Sequence, residues 1–292
     1  MQLREALISA AERLTRAGVA DSRKDAELLL MFALGRDRAY LYAHPEHPLT
    51  NEESARYDDA LAKRSLGMPP QYITGHQEFW GMDFIVSPAV LIPRPETEHL
   101  VETVVELARN VERPRIVDVG TGSGCIALAL AKELPLAEVH AVDISNEALE
   151  IARSNAARLS LEKRVCFQES DLLAFSTEGE EFDFIVSNPP YISAMERESL
   201  QREVRDFEPE VALFGGKMGL DVIERLAQQA GLMLKSGGWL VMEIGTGQQI
   251  HIQQLLANWR ELRFANDLQG IARVAAAQTA LNWATRLPAR DR

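Results

Sequence analysis

The sequence predicts an α/β fold, a parallel sheet with connecting helices that follows a small helical domain, and three features of the 292-residue chain point to it. Arg115-Ile116-Val117-Asp118-Val119 runs into the glycine-rich turn Gly120-Thr121-Gly122-Ser123-Gly124. Ile126, Leu130 and Leu134 then recur at helical spacing, which makes a strand-turn-helix unit. Asp118, Asp143 and Asp171 each fall at the carboxyl end of a successive strand-like run, the edge where open α/β sheets bind ligands. Residues 1–70, by contrast, carry helical spacing of apolar residues broken by turn signals.

In chain order, Leu3, Leu7 and Leu14 share one helical face, a dense apolar stripe runs from Ala26 to Leu34, and a weaker helix spans residues 51–66. Gly18, Gly35 and His44-Pro45-Glu46-His47-Pro48 separate them. After Met68-Pro69-Pro70, two short strand-like runs around Trp80-Gly81 read as a hairpin connector. Pro93 and Pro95 hold an extended approach to a helix whose apolar face is Leu100, Val101, Val104, Val105 and Leu107, with Glu96 or Thr97 as its cap. The Pro93-Arg94-Pro95 segment reads either as a rigid exposed loop or as a lid over a ligand. Strands are expected at residues 138–143, 164–170 and 182–187, followed by a long charged loop at 192–219. A helix at 220–234, a turn at 236–238, a strand at 239–244, a helix at 248–259 and strands near 262–265 and 271–277 complete the pattern, and the last residues read as a polar, frayed tail.

Composition narrows the function classes. The net charge of −12 offers no general attraction to a polyanion, and residues 1–80 hold 10 basic and 12 acidic side chains, so neither part of the chain is a basic nucleic-acid module. The apolar runs are too short to span a bilayer and the amino-terminal residues lack the pattern of a secretion signal, so a cytoplasmic protein is expected. Cys125 and Cys166 form no C-x-x-C pair and read as reduced core thiols. The six histidines show no ligand spacing, and no metal site is expected.

The glycine turn and the strand-end acids suit a nucleoside cofactor. The turn departs from the dinucleotide pattern G-x-G-x-x-G, because the sixth place is Cys125 and the third glycine comes one residue early at Gly124. No G-x-x-x-x-G-K-[ST] phosphate cradle is present either. Asp143 lies 23 residues after Gly120, near the spacing at which a carboxylate takes ribose hydroxyls. An acidic rim also fits a cationic sulfonium with an amino group, so S-adenosyl-L-methionine is the expected cofactor. Any one of these acids alone would read equally as a helix cap or turn residue.

Asn188-Pro189-Pro190-Tyr191, reached straight from the run Phe182–Ser187, points to methyl transfer onto a planar nitrogen. The lone pair of such a nitrogen is delocalised, so it needs aiming more than it needs a base. The Asn188 amide oxygen and the Pro189 carbonyl are positioned to accept its two N–H hydrogens, with Tyr191 as a flat wall beside it. A Pro-Pro turn also ends buried strands for purely structural reasons, and the tetrapeptide alone does not separate the two readings.

Pro69-x-x-Tyr72-Ile73-Thr74-Gly75, Glu78-Phe79-Trp80, residues 91–98 (Leu-Ile-Pro-Arg-Pro-Glu-Thr-Glu), Asp118 to Gly124, Asn188 to Tyr191 and Phe207-Glu208-Pro209 together resemble the HemK/PrmC family, bacterial peptide chain release factor glutamine methyltransferases. The resemblance covers residues 1 to about 278. It implies a class I S-adenosylmethionine-dependent methyltransferase fold, Rossmann-like with a seven-stranded, mostly parallel sheet. It implies a helical substrate-recognition domain at 1–75, a β-hairpin linker at 76–92, the methyltransferase domain at 93–280 and a tail at 281–292. The implied substrate is the glutamine side-chain amide of the Gly-Gly-Gln motif of class I release factors, methylated at N5 in translation termination with S-adenosyl-L-homocysteine as the other product. The family's cofactor residues match Asp118, Gly120, Thr121, Gly122, Ser123, Gly124, Asp143, Asp171, Leu172 and Asn188. Its catalytic positions match Asn188, Pro189 and Tyr191, and its substrate clamp matches Asn188, Pro189, Pro190 and Tyr191. Leu172 departs from relatives with an aromatic residue there, which reduces adenine stacking to apolar contact. Neither nucleic acid nor membrane is an expected partner. The alternatives are a ribosomal-protein glutamine methyltransferase and an amino-group nucleic-acid methyltransferase of the N6-adenine type, whose acceptor is the same planar NH₂. A protein that binds the cofactor without catalysis is disfavoured by the intact tetrapeptide.

Overall fold

The computed structural model describes residues 1–175, 181–267 and 269–280. The first elements are the helices α1 (Leu3–Arg16), α2 (Ser22–Leu34), α3 (Arg38–Ala43), α4 (Asn51–Ser65) and α5 (Pro70–Thr74). Amphipathic spacing decides how they pack: Leu3, Ala6, Ala10 and Leu14 of α1 meet Leu29, Leu30 and Ala33 of α2 and Tyr57 and Leu61 of α4 in one buried cluster. A reciprocal capping box opens α4, with the Thr50 N–H donating to the Glu53 carboxylate at 2.8 Å and the Glu53 N–H donating to the Thr50 hydroxyl at 3.2 Å. Neither α3 nor α5 is among the helices expected from periodicity, because six and five residues are too few to display it. Their starts are written locally instead: the Asp37 carboxylate accepts the Tyr40 N–H at 2.8 Å, and α5 opens on Pro70, whose fixed φ suits a first helical turn.

β1 (His76–Phe79) and β2 (Met82–Ile85) form a two-stranded hairpin. Trp80 at φ 54° and Gly81 at φ 64° make a two-residue turn of the kind whose twist matches the strands. There follow α6 (Glu98–Leu107), β3 (Arg115–Val119), α7 (Cys125–Glu133), β4 (Glu138–Asp143), α8 (Asn146–Arg158), β5 (Val165–Glu169) and β6 (Phe182–Ser187). Then come α9 (Arg202–Phe207), α10 (Glu210–Leu213), α11 (Asp221–Met233), β7 (Leu234–Glu243), α12 (Gln249–Leu255), β8 (Glu261–Asn266) and β9 (Ala272–Gln278).

Seven strands make one sheet in the order β5-β4-β3-β6-β7-β9-β8. All neighbours are parallel except β9, which runs against both β7 and β8. Alternation along the central strand divides the core between two faces. Ile116 packs with Leu100, Val104 and Ile126 of α6 and α7, whereas Val117 packs with Ile223, Leu226 and Ile252 of α11 and α12. The chain winds outward from β3 to β4 and β5 and then returns to β6 on the other side of β3. That reversal opens a crevice beyond the carboxyl ends of β3 and β6, the usual ligand position in an open α/β sheet.

Two compact units are formed, one of residues Met1–His76 with Leu200–Phe207 and one of Gln77–Ser199 with the chain from Glu208 onward. The expected long loop at 192–219 therefore differs from the structure: it contains a 3₁₀ turn at Ala194–Ser199 and both α9 and α10, and α9 groups with the first unit. Within that unit Arg64, buried on α4, meets Asp25 at 2.7 Å and Glu203 of α9 at 2.7 Å. Cys166 is exposed, contrary to the expectation of a core thiol, because β5 is an edge strand. The expected tail at 281–292 lies outside the described residues.

Candidate active site

The crevice holds a cavity of about 210 Å³. Gly120, Thr121, Gly122 and Ser123 line it from the turn after β3, Asp143 from the end of β4, Asp171 and Leu172 from the turn after β5, and Asn188 and Pro190 from the turn after β6. Four separately placed sequence signals thus converge because parallel strands bring their carboxyl ends to one edge. The approach to α6 supplies a wall that spacing did not assign, including Val90, Leu91, Pro93, Arg94 and Thr97. Arg94 is held there by Glu208, with Nη2 to Oε1 at 2.5 Å, so the proline-flanked arginine forms part of the cavity wall.

Asp118, Gly124, Pro189 and Tyr191 are not among the lining residues. Asp118 is fully buried within β3, where its Oδ2 accepts the Thr121 hydroxyl at 2.6 Å and the Ala127 N–H at 3.1 Å. It braces the turn and the first turn of α7 from beneath. Gly124 has φ 81°, and a Cβ there would sit 3.1 Å from the Ala152 Cβ of α8, so this third glycine serves close helix packing. Tyr191 packs against the core on the Val117 face of the sheet, and its hydroxyl donates to the Glu243 carboxylate at 3.2 Å. The hydroxyl thereby anchors the ring that the sequence reading places beside an acceptor. Burial, with Glu243 beside it, pushes the Tyr191 phenol well above its ordinary value.

Burial is also the main force on the acids. It pushes Asp118 up to about 7 from 3.8, against the hydrogen bonds from Thr121 and Ala127. A folded-state value above the unfolded one means that the contribution to stability is full below about pH 4 and is lost as pH rises through 7. Relative to Asp118→Asn, the wild-type protein is expected to lose roughly 3 kcal/mol of unfolding free energy between pH 5 and pH 8. Urea unfolding of both proteins at the two pH values measures this, and parallel pH dependence would refute it. Asp143 is raised by the same cause, although its Oδ2 accepts the Gly122 N–H at 2.8 Å and its Oδ1 the Ser145 N–H at 2.9 Å. Asp171 is exposed, and its Oδ2 takes Arg225 of α11 at 2.6 Å. Leu172 adopts φ 53°, a left-handed conformation that a non-glycine residue holds only where its surroundings over-determine it.

Asn188 connects to groups that spacing did not reveal. Its Nδ2 donates to the Thr97 hydroxyl at 3.2 Å, and that hydroxyl donates to Glu243 Oε2 at 2.6 Å. Thr97, expected with Glu96 as a candidate α6 cap, makes no side-chain capping bond: it ends a 3₁₀ turn at Pro95–Thr97 with helical backbone angles, and its hydroxyl goes to Glu243 instead. Glu243 ends β7 with 2% of its surface exposed, and burial raises its pKa. A glutamate closing the apolar run Trp239–Met242 was the signal available in the sequence.

Comparison with known proteins agrees with this architecture. The family model for the PrmC N-terminal domain matches residues 5–75, and that for the methyltransferase small domain matches residues 95–204. A release factor glutamine methyltransferase of Koribacter versatilis (strain Ellin345) is 54% identical over 95% of this chain and 99% of its own length. The chain belongs to the release factor glutamine methyltransferase family. A second member, from Moorella thermoacetica, is 45% identical over 87% of this chain and 89% of its own. Among solved structures, the hMettl16 catalytic domain in complex with a MAT2A 3'UTR hairpin shares the fold, with a TM-score of 0.56 at 16% identity over 77% of this chain and 83% of that one. Among the described residues no cluster of potential metal ligands occurs, and no helix is long and apolar enough to cross a membrane.

Proposed function

We propose that this chain transfers a methyl group from S-adenosyl-L-methionine to the side-chain amide nitrogen of the glutamine in the Gly-Gly-Gln motif of class I peptide chain release factors. The observation that carries the reading is the Asn188 carboxamide on the wall of a nucleoside-sized crevice, in a chain of this family. The residues present fit such a cofactor. Ser170 Oγ borders the cavity, buried and without a hydrogen-bond partner, as expected where a polar ligand completes the set. Asp143 offers carboxylate lone pairs suited to ribose hydroxyls, and Leu172 with Val90 and Leu91 offers apolar surface. When bound, the cofactor supplies an electrophilic methyl on a cationic sulfur.

The chain's own task is to orient and to hold. Asn188 Oδ1 and the Pro189 carbonyl accept the N–H hydrogens of the acceptor amide and stabilise positive charge as it grows on nitrogen. Asn188 is no base at neutral pH, so the released proton passes to solvent. The helical unit at residues 1–75 serves substrate recognition in this reading, supported by its own buried core and by the PrmC N-terminal match. The net charge of −12 supports a protein acceptor over nucleic acid, and a translation substrate supports a cytoplasmic enzyme.

Incubation with labelled methyl donor and three acceptors tests the proposal: a release factor, the same factor with the tripeptide glutamine replaced, and DNA. Label on the unaltered factor alone is the expected result. Label on DNA, or equal label on both factors, would overturn it.

A further inference from the structure

Asparagine has a donor end and an acceptor end of nearly the same shape, and a half-turn about its last torsion exchanges them. Only the oxygen end can receive the hydrogens of a methyl acceptor. Something must therefore decide which end of Asn188 faces the cavity, and the side chains behind it are placed to do so.

Glu243, when ionised, accepts and cannot donate. Its Oε2 lies 2.6 Å from the Thr97 hydroxyl and its Oε1 lies 3.2 Å from the Tyr191 hydroxyl, so in the ionised form, which these two bonds favour against the opposing effect of burial, both hydroxyl hydrogens point at it. Having spent its single hydrogen there, Thr97 has only lone pairs left for Asn188, 3.2 Å away. A lone pair requires a donor, so the Asn188 NH₂ turns toward Thr97 and Oδ1 is left as the end offered to the cavity. The cost of this arrangement argues that it has a purpose. A carboxylate with 2% of its surface exposed carries no ion pair among the described residues.

We propose that Glu243 is a positioning residue for methyl transfer, acting through Thr97 to fix the Asn188 carboxamide with its oxygen toward the acceptor. This rests on the proposed role of Asn188 as the acceptor clamp. Tyr191 holds the second carboxylate oxygen, so the tetrapeptide binds the relay at both of its ends, through Asn188 by way of Thr97 and through Tyr191 directly. Glu243→Gln breaks the logic while keeping the shape. Its one oxygen receives one of the two hydroxyls, and its NH₂ must donate to the other. Where it donates to Thr97, the Thr97 hydrogen swings to Asn188 and draws Oδ1 inward.

The test combines kinetics with a readout independent of turnover. Glu243→Gln and Thr97→Val are each expected to lower kcat on release factor roughly 10- to 100-fold, the scale of a misaligned reacting group, with KM for the methyl donor within about twofold of wild type. Thr97→Ser keeps the hydroxyl and is expected to hold kcat within about threefold. In parallel, the side-chain amide hydrogens of Asn188, followed by nitrogen-15 NMR and assigned by their loss in Asn188→Ala, are expected to exchange faster in Glu243→Gln and Thr97→Val than in wild type or Thr97→Ser. Unchanged kcat in Thr97→Val, or exchange that is the same in all four proteins, overturns the proposal. Should the exchange pattern appear while wild-type protein leaves the release factor unlabelled, the functional reading fails and the orientation of Asn188 by Glu243 stands.

Discussion

Asn188→Ala is expected to abolish methyl transfer to release factor while binding of the methyl donor survives. The acceptor nitrogen is a poor nucleophile, so the enzyme's contribution is alignment and stabilisation of developing charge, and Asn188 supplies both from the end of β6. Loss of one pre-organised dipole at a reacting centre costs about 10²–10³ in kcat, and loss of alignment adds to it, so turnover should fall at least about 10³-fold. Donor affinity should stay within about threefold, because most of the cavity wall comes from the segments after β3, β4 and β5 together with the approach to α6. Single-turnover kinetics with labelled donor, together with calorimetry, separates the two effects. A variant that keeps near-wild-type turnover would remove Asn188 from the reaction, whereas one that fails to bind donor would show that the residue mainly builds the cofactor site.

Much of this site was legible because its residues sit where strands end. A strand followed by glycines, and strands followed by acids or by Asn-Pro-Pro-Tyr, are local patterns, and a parallel sheet converts local strand ends into one edge. What the patterns could not supply was direction. Asp118 stands in the same motif as the glycines, but alternation in β3 turns it inward to Thr121 and Ala127. Tyr191 belongs to the tetrapeptide, yet its hydroxyl reaches back to Glu243 across the junction of β6 and β7. Glu243 itself lies 146 residues from Thr97, and only the register of the finished sheet brings the two together.

The segment after Tyr191 was opaque for a different reason. It reads as charged loop because its helices are single turns or little more, and yet its glycines are dictated by contact. A Cβ at Gly215 would run into the Pro190 carbonyl oxygen, and the Gly215 N–H donates to the Ile192 carbonyl at 3.0 Å. The tetrapeptide is thus buttressed by backbone from its own downstream loop. That explains why position 215 carries no side chain.

Asp143→Ala is expected to act on the other half of the reaction, weakening the methyl donor far more than the acceptor. Both Asp143 oxygens already receive backbone N–H groups, from Gly122 at 2.8 Å and Ser145 at 2.9 Å, and each retains a lone pair toward the cavity that the residue lines. The side chain therefore ties the turn after β3 to the start of α8 while presenting acceptors to a ligand diol. A hydrogen bond to a charged group contributes about 1.5–3 kcal/mol, so loss of two ligand contacts predicts at least about a 10²-fold weaker Kd. Asp143→Asn keeps the size but can accept at only one of the two ends, so its loss should fall between wild type and alanine. Calorimetric titration with S-adenosyl-L-methionine and with S-adenosyl-L-homocysteine measures the effect, and the two should weaken equally because the acid addresses the nucleoside they share. Unchanged affinity in Asp143→Ala would remove the residue from the site. A loss confined to the sulfonium form would instead assign the carboxylate to the charged sulfur, making Asp143 an electrostatic partner of the reacting centre and moving the nucleoside to another part of the crevice.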